Sequence, residues 1–230
     1  VFDSASNAIS SSKILVDNGG SSATNASFTL TTGVDSFTGR SGNDTFDATT
    51  EASLNDFDII DGGAGVDTLT LQFGAADAGT TLVPQLSNIE NIQVTNSATT
   101  DADSNGSAIL SISTAGLTGI QSVSNIAGAA KAGGVTFLDL ASPTDLTIKS
   151  GILVTEVNHN ATAFAGANDS VTVTLSGTNS TTTIVKISDD STLASTVLES
   201  LTINSVSVAN TLADLQVDTT NVPTLNITGS

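Results

Sequence analysis

A glycine- and aspartate-rich stretch from residue 33 to residue 71 constrains the fold more than any other part of the chain. Gly62–Thr70 reads G-G-A-G-V-D-T-L-T, and the near copy Gly39–Asp47 departs from the G-G-x-G-x-D pattern only at Arg40. Glycine permits left-handed backbone conformations, which turn successive carbonyl oxygens toward one point. The aspartate adds a carboxylate, and Ca²⁺ prefers roughly six to eight oxygen ligands. The stretch therefore predicts calcium-binding loops, each followed by a short strand.

The spacing of the aspartates indicates stacked coils. Asp35 and Asp44 are nine residues apart, as are Asp58 and Asp67. One nine-residue unit makes half a coil of a parallel β-roll, so loops that stack on one side are normally roughly eighteen residues apart. Here Asp35 and its counterpart Asp58 are separated by 23 residues, and Asp44 and Asp67 are separated by the same number. A single insertion within Ala48–Asn55 explains both offsets.

We therefore predict two stacked coils with a bulged loop between them and calcium-binding loops on both sides. On one side the loop Gly33–Asp35 pairs with Asp56–Asp58. On the other side Gly39–Asp44 pairs with Asp61–Asp67. Clusters of Gly and Asp also form ordinary turns, and this alternative stays open above all for the isolated loop at Gly33–Asp35.

A second repeat, apolar-x-x-apolar-x-apolar, takes over after the calcium stretch. It is complete at Val66–Leu71, Ile89–Val94, Val135–Leu140, Leu198–Ile203 and Val222–Ile227, and partial at Ile120–Asn125 and Pro143–Ile148. The last two apolar residues of each unit are two positions apart, so they share one face of a strand. The first lies before a turn and can pack under it. One strand at intervals of roughly 20–30 residues is the pattern of a parallel β-helix.

We predict an all-β fold, in which a calcium-binding parallel β-roll continues into a right-handed parallel β-helix-like solenoid. Residues 1–74 hold the N-terminal strands, with candidates at Lys13–Val16 and Ala26–Leu30, and the β-roll. Residues 75–230 form the Ser/Thr-rich solenoid. An antiparallel β-sandwich after the β-roll is the alternative, because Ser/Thr-rich alternation fits that fold too.

The charge of the chain excludes some classes of partner. Twenty-three acidic and five basic residues give a formal net charge of −18. Nucleic acid is excluded as a partner, because its phosphates attract clustered Lys and Arg. Acidic side chains that repel until cations screen them suit a calcium-loaded protein. No apolar run approaches the roughly 20 residues of a transmembrane segment. Because the chain begins at Val1 without a signal-like segment, we expect a piece of a longer protein.

The sequence lacks a recognisable catalytic constellation, so we expect a protein that is not an enzyme. The pattern G-x-S-x-G is absent, and a catalytic triad would have to use the single histidine, His159. His159 stands between two asparagines, which predicts a solvated turn rather than a zinc ligand. With no Cys, the chain has no disulfide and no thiolate site.

A degenerate copy of the calcium motif occurs at Gly166–Val173, where Ala167 replaces a glycine. Asp169, with the nearby Asn160, is a candidate for one more calcium site. A plain turn before a strand explains the segment equally well.

The stretch Gly33–Leu71 resembles the RTX (repeats-in-toxin) calcium-binding proteins. With its I-E-x-I-type rungs and a Ser/Thr/Ala-rich chain without Cys, the sequence is similar to the surface-layer branch of that group, the Caulobacter-type S-layer proteins. Carried over residue by residue, the family's ligand positions fall on Gly39, Ser41, Gly42, Asp44, Gly62, Ala64, Gly65 and Asp67, and also on Asp35 and Asp58. The loop residues Gly33, Asp56 and Asp61, and Asp169 of the degenerate copy, complete the candidate set.

The resemblance implies Ca²⁺ as the cofactor and a structural function. It implies type I secretion in an unfolded state, folding outside the cell when calcium binds, and self-association into a lattice at the bacterial cell surface. A cell-surface polysaccharide is a further candidate partner. The alternative is a calcium-binding RTX module of a larger secreted adhesin or hydrolase. Arg40, in place of the second glycine, is the main departure from the family's motif, and it puts the strength of that site in doubt.

Overall fold

A computed structural model describes residues 24–74, 77–97, 109–127, 133–150, 154–178, 183–190, 197–207, 209–219 and 224–229. These ranges contain β-strands and no helix, and so none with the length and apolar character needed to cross a membrane. The predicted strand Lys13–Val16 lies outside the described residues. The predicted strand Ala26–Leu30 is confirmed, because Ser27–Thr29 forms the first strand.

The described strands are all short, from two to seven residues. In chain order they are β1 (Ser27–Thr29), β2 (Ser36–Thr38), β3 (Thr45–Ala48), β4 (Ile59–Asp61), β5 (Thr68–Phe73), β6 (Thr81–Leu82), β7 (Gln85–Ser87), β8 (Asn91–Asn96), β9 (Ile109–Ser113), β10 (Ser122–Ala127), β11 (Gly134–Leu140), β12 (Asp145–Lys149), β13 (Val154–His159), β14 (Ser170–Ser176), β15 (Ile184–Asp189), β16 (Ser200–Val206), β17 (Asp214–Asp218) and β18 (Thr224–Gly229).

The strands form three sheets, and every described pairing is parallel. The nine-stranded sheet has the order β1-β3-β5-β8-β10-β12-β14-β16-β18. The three-stranded sheet is β2-β4-β7, and the six-stranded sheet is β17-β15-β13-β11-β9-β6. The chain therefore alternates between the nine-stranded sheet and the other two, and the coil after β5 gives one strand to each of these two. This topology confirms the solenoid and excludes the antiparallel sandwich.

The second face of the solenoid changes sheets within Thr81–Ser87. There β7 pairs with β4 of the three-stranded sheet, whereas β6 pairs with β9 of the six-stranded sheet. The nine-stranded sheet continues through this region, because β5 pairs with β8 over six residues. The β-roll and the later coils thus share one uninterrupted sheet.

The coil lengths confirm the predicted insertion. From β1 to β3 the register advances by 18 residues, the separation that also divides Ala26 from its hydrogen-bond partner Asp44. From β3 to β5 it advances by 23 residues, as between Asp44 and Asp67. The longer coil contains the loop between Ala48 and Ile59, where the insertion was predicted.

The core lies inside the coil, because inward and outward side chains alternate along the strands. In β5 and β8 every second residue is buried. One column of core side chains, one from each coil, is Phe28, Phe46, Leu69, Ile92, Val123, Leu146, Val173 and Ile203. The rings of Phe28 and Phe46 stack with centroids 5.0 Å apart. Each such side chain contributes roughly 1.5–3 kcal/mol by leaving water, so the column is a main source of stability.

All seven predicted rungs carry a strand: β5, β8, β10, β11, β12, β16 and β18. Six of these strands lie in the nine-stranded sheet, and β11 lies in the six-stranded sheet. The first apolar residue of the unit is buried under its turn at Ile89, Ile120 and Leu198, as expected. Val66 is exposed instead, because it stands in the calcium-type loop.

Leu201 tests the rung assignment. It is buried between Val171 and Leu225 in register, so we expect Leu201→Ala to destabilise the fold by roughly 2–5 kcal/mol. Leu201→Asp should unfold the C-terminal half at any calcium concentration. Thr202→Ala, on the outward side of the same strand, is the control and should change stability by less than about 0.5 kcal/mol. Urea unfolding followed by circular dichroism measures both changes, and equal midpoints for Leu201→Ala and Thr202→Ala would place Leu201 on the surface.

Candidate metal centre

In the structure the predicted loops lie one above another, in the pairs that the spacing of 23 residues predicted. The backbone N–H of Asp35 donates to Oδ1 of Asp58 at 2.8 Å, and that of Asp44 donates to Oδ1 of Asp67 at 2.6 Å. In each pair the two residues are 23 positions apart. All four aspartates are buried. Both predicted loop pairings are therefore confirmed, with one pair on each side of the roll.

The Asp44–Asp67 side forms a ladder that reaches one coil further. The two carboxylate oxygens of Asp44 accept the backbone N–H groups of Ala26 and Arg40. The backbone N–H of Asp67 donates in turn to Oε2 of Glu90 at 2.6 Å. Oδ2 of Asp67, by contrast, is buried and has no hydrogen-bond partner among the described residues. A buried carboxylate oxygen without a donor is the kind of group that a cation satisfies.

Glycine is required at two positions because oxygen atoms occupy the space where a side chain would begin. A Cβ at Gly39 would overlap the carbonyl of Gly62 and lie 2.6 Å from Oδ2 of Asp44. A Cβ at Gly62 would overlap the carbonyl of Asn88 and lie 2.6 Å from Oδ2 of Asp67. Carbonyl and carboxylate oxygens from successive coils thus converge on these two glycines.

Two glycines of the Gly62–Asp67 loop have a positive φ. Gly63 has φ of 91° and Gly65 has φ of 138°, values that favour glycine. A Cβ at Gly65 would overlap the carbonyl of Gly42 in the coil before. The N–H of Ala64 donates to the carbonyl of Arg40 at 3.0 Å. Arg40 therefore replaces a glycine without breaking the contact between the two coils.

The residues present fit calcium better than a softer metal. Within the described ranges, no three side chains of His, Cys, Asp or Glu lie close enough together to hold an ion by themselves. An ion at these loops would therefore rely on backbone carbonyls together with Asp44 and Asp67. An all-oxygen set of that kind suits Ca²⁺, whereas zinc prefers nitrogen and sulfur.

Stacked carboxylates perturb one another in this site. Burial raises the pKa of Asp67, and the charges of Glu90, Asp44 and Asp61 raise it further, against the hydrogen bond from the Asp44 backbone. Burial also raises the pKa of Asp58, with a smaller contribution from the charge of Asp35. Both shifts mean that the charged forms are disfavoured in the folded chain. A cation among the loops would offset that cost.

The remaining predicted acids lie at the edges of the two loops. Asp56 is exposed, and its Oδ1 accepts the N–H of Val83 at 2.8 Å. Oδ1 of Asp61 accepts the N–H of Gly63 at 3.1 Å and the side-chain amide of Asn88 at 2.7 Å. Their carboxylates thus tie neighbouring loops together through hydrogen bonds.

Gly33 and Ser41 were predicted as ligands through their loops. The carbonyl of Gly33 accepts the side-chain amide of Asn55 at 2.8 Å, so the inserted loop is fastened to the first coil. Ser41 is exposed, next to the buried Gly42. The carbonyl of Gly33 is therefore already engaged by a neutral donor.

Asp169 lies in a smaller version of the same arrangement. Its Oδ2 accepts the N–H of Gly166 at 2.8 Å, and its own N–H donates to Oε2 of Glu199 at 2.6 Å. Burial and then the charge of Glu199 raise the pKa of Asp169. Asn160 instead accepts the N–H and the hydroxyl of Thr162, at 3.0 and 2.9 Å. The structure thus brings Asp169 together with Glu199, where the sequence analysis had proposed Asn160.

Two residues of the site, Glu90 and Glu199, were missed from the sequence. Each stands immediately before a strand of the nine-stranded sheet and accepts the N–H of the aspartate one coil earlier. The spacing could have shown the first, because Asp44, Asp67 and Glu90 are separated by 23 residues each. Glu90 also lies in the Ile89–Val94 rung, whose pattern concerns its apolar residues and not the carboxylate between them.

The prediction that His159 lies in a solvated turn is wrong. His159 ends β13 and is fully buried, with its ring 4.6 Å from that of Phe164. Nδ1 lies 3.2 Å from the carbonyl oxygen of Ser188, which only accepts, so Nδ1 carries a hydrogen. Nε2 is buried without a partner among the described residues. Burial lowers the pKa of His159 to about 4.

No protein-family model, no curated protein and no solved structure matches this chain. The nonapeptide loops and their geometry are thus the basis for any assignment of function.

His159 should make stability depend on pH. The unfolded chain protonates this histidine below about pH 6.5, whereas the folded chain does so only near pH 4. The unfolded state therefore binds more protons between these values, and stability falls as the pH falls through that window. We expect a loss of roughly 2 kcal/mol between pH 7 and pH 5.

The matched control is His159→Gln, which can still donate to the Ser188 carbonyl and does not titrate. Urea unfolding of both proteins at a fixed calcium concentration isolates the histidine, because the aspartates are common to both. The raised pKa values of Asp58 and Asp67 act in the opposite direction, since the folded state then binds more protons. If both proteins lose the same stability between pH 7 and pH 5, folding does not lower the pKa of His159.

Proposed function

We propose that this protein is a structural extracellular protein that folds when it binds calcium and self-assembles into a bacterial surface layer. The observation that carries the calcium dependence is the buried carboxylate of Asp67, whose Oδ2 has no hydrogen-bond donor among the described residues. This oxygen faces Gly62, a position where only a glycine fits. A carboxylate buried in this way is neutralised either by a proton or by a nearby positive charge, and a bound cation would supply the second.

The stacked acids supply the reason why folding would depend on the ion. In the absence of a cation, Asp44, Asp67 and Glu90 bring negative charge together at successive levels of one corner, and burial and repulsion raise the pKa of Asp67 there. The glycines of the same loops lose much conformational entropy on ordering. Calcium supplies a positive charge and accepts oxygen ligands when bound. A bound cation would therefore stabilise the coil mainly at this corner.

The residues that would hold the ion are those already brought together by the stack. They are the carboxylates of Asp44 and Asp67, with carbonyl oxygens from the loops Gly39–Asp44 and Gly62–Asp67. On the opposite side, Asp35 and Asp58 form the equivalent buried pair. Each loop is tied to the next coil through backbone groups, so order at one corner favours order in the neighbouring coil.

A structural role is supported by what surrounds the site. The sequence has no catalytic constellation of Ser, His and acid, and its single histidine is a buried side chain in the core of the later coils. The nine-stranded sheet carries the stack from Ser27 to Gly229. A long acidic solenoid offers extended surfaces, and divalent cations can bridge acidic surfaces in a lattice. Secretion and a place at the cell surface follow from the same proposal.

The proposal predicts that β-structure and large particles appear together as calcium is added. Circular dichroism and light scattering on the same samples, titrated from chelator upward, measure the two responses. Magnesium at equal concentration is the control, since it demands a stricter octahedral site and dehydrates reluctantly. β-structure in a protein that stays monomeric would support a calcium-folded module of a larger protein instead. No response to calcium in either signal would contradict the nonapeptide assignment itself.

The Asp67→Ala variant should raise the calcium concentration needed for folding by about tenfold or more, because it removes one anionic ligand from the site. Asp218→Ala removes the same charge from the exposed strand β17 and serves as the control. Calcium titrations followed by circular dichroism give both midpoints. If the calcium midpoint of Asp67→Ala equals that of Asp218→Ala, Asp67 is not a calcium ligand.

A further inference from the structure

A column of apolar side chains points into solvent beside the three-stranded sheet. Val34 is 55% exposed, Phe57 is 72% exposed and Val83 is 51% exposed, and Ile59 next to them is 45% exposed. Large apolar side chains so exposed are unusual when they lie together. These four residues, one or two from each of three successive coils, are called the Phe57 column below.

The register of the coils places the members of the column one above another. Val34 and Phe57 each stand immediately before one of the stacked aspartates, Asp35 and Asp58, and the two aspartates are 23 residues apart. Val83 belongs to the next coil, where its N–H donates to Oδ1 of Asp56. The residues therefore lie one above another at intervals of about 4.8 Å, the spacing of paired strands.

Ile59 extends the column onto the sheet. It lies in β4, in register between Ser36 of β2 and Gln85 of β7. Those two neighbours are exposed and uncharged. Ile59 thus has uncharged polar side chains on either side of it across the sheet, and the next outward residue along β4 is the half-buried Asp61.

The fold does not require apolar residues in this column. On the opposite corner the residue before the stacked aspartate Asp44 is Asn43, and its Oδ1 accepts the N–H of Val66 at 3.1 Å. The N–H of Asn43 donates to the side chain of Asn25 at 3.0 Å. An asparagine at this loop position therefore adds bonds between coils, whereas Phe57 leaves most of its ring in water. Packing within the coil therefore does not explain why the side chain at this position is apolar.

The charges near the column make this face unusual in so acidic a protein. The net charge of the chain is −18, so two copies repel each other over most of their surfaces. Asp35 and Asp58, however, are buried and turned into the coil. Two acids next to the column keep some exposure: Asp56 accepts the N–H of Val83, and the half-buried Asp61 accepts the N–H of Gly63 and the side-chain amide of Asn88. This is a face on which like-charged copies can approach.

We propose that the Phe57 column is the contact through which two copies of this chain associate, face to face about a twofold axis. This proposal rests on the self-assembly proposed above and names its surface. The four side chains expose on the order of 400 Å² together, about half of what one partner of a standard interface buries. The contact alone is therefore weak and becomes effective where many copies are held together, as in a lattice.

The first test substitutes Phe57 by the residue that occupies the equivalent loop position on the other corner. In saturating calcium, sedimentation velocity over a range of concentrations should show association of the unaltered chain, weakened about tenfold or more in Phe57→Asn. Val66→Asn, an exposed valine of the opposite corner, is the matched control and should associate like the unaltered chain. Added salt should strengthen the association, because it screens the like charges and leaves the apolar contact intact.

The second test uses the absence of cysteine from the chain. Phe57 lies in the middle of the column, so a twofold axis through the contact places it opposite its own copy. Under mild oxidation in calcium, Phe57→Cys should form disulfide-linked dimers much faster than Val66→Cys. Equal rates would overturn the face-to-face arrangement.

The outcomes separate this proposal from the proposed function. If the unaltered chain folds and assembles with calcium and Phe57→Asn does so equally, the column is not the contact and the proposed function stands. If the unaltered chain folds with calcium but stays monomeric at every concentration, both the column as a self-contact and the lattice are excluded. Binding of a basic apolar peptide to that monomer, lost in Phe57→Asn, would assign the column to a different partner. Circular dichroism of each variant in calcium confirms that the comparison is between folded proteins.

Discussion

The hydrogen bond from a backbone N–H to a carboxylate of the following coil sets the stacking of this solenoid at its acidic corner. It occurs three times in succession, from Ala26 to Asp44, from Asp44 to Asp67 and from Asp67 to Glu90. The same contact appears again between Asp169 and Glu199. Parallel strands alone tolerate a shift in register, whereas a buried carboxylate that must find a donor does not. The ladder therefore fixes which residue lies above which in the first coils, where Phe28, Phe46, Leu69 and Ile92 stack in the core.

This way of fixing the register has an electrostatic cost that the chain cannot relieve by itself. Each new coil places another carboxylate about 4.8 Å from the last, and the raised pKa of Asp67 records the repulsion together with the effect of burial. The Phe28–Phe46 stack and the apolar column give stability at the same levels, but they do not neutralise charge. Stability and charge thus depend on different parts of the coil, the apolar interior and the corner. A cation would act on the corner alone, so the calcium-dependent folding that we propose would leave the core unaltered.

The sequence predicted those features whose pattern is strict, and it failed where burial depends on distant coils. The glycines at Gly39 and Gly62, the 23-residue spacing and the rungs of the nine-stranded sheet could all be predicted, because each is a local requirement of the backbone. Strands such as β9 and β15 were not predicted, since neither contains the apolar-x-x-apolar-x-apolar unit from which the rungs were predicted. His159 appeared polar among asparagines, yet the neighbouring strand and Phe164 enclose it. The role of Glu90 was not predicted, because its carboxylate accepts the N–H of Asp67 only when the coil before it is folded.

A parallel coil separates its two surfaces in a way that bears on function. Inward positions are decided by the stack, since each must match the side chains above and below it. Outward positions are decided by the stack only where a side chain bonds the next coil, as Asn43 does with Val66. Phe57 occupies the equivalent position in its loop. Its side chain cannot accept such a hydrogen bond, and its ring is exposed. The identity of that residue is thus free of the demands of folding, and its chemistry is set by what meets the outer surface. In a chain of net charge −18, contact with another copy meets less like-charge repulsion at an apolar column than at an acidic surface.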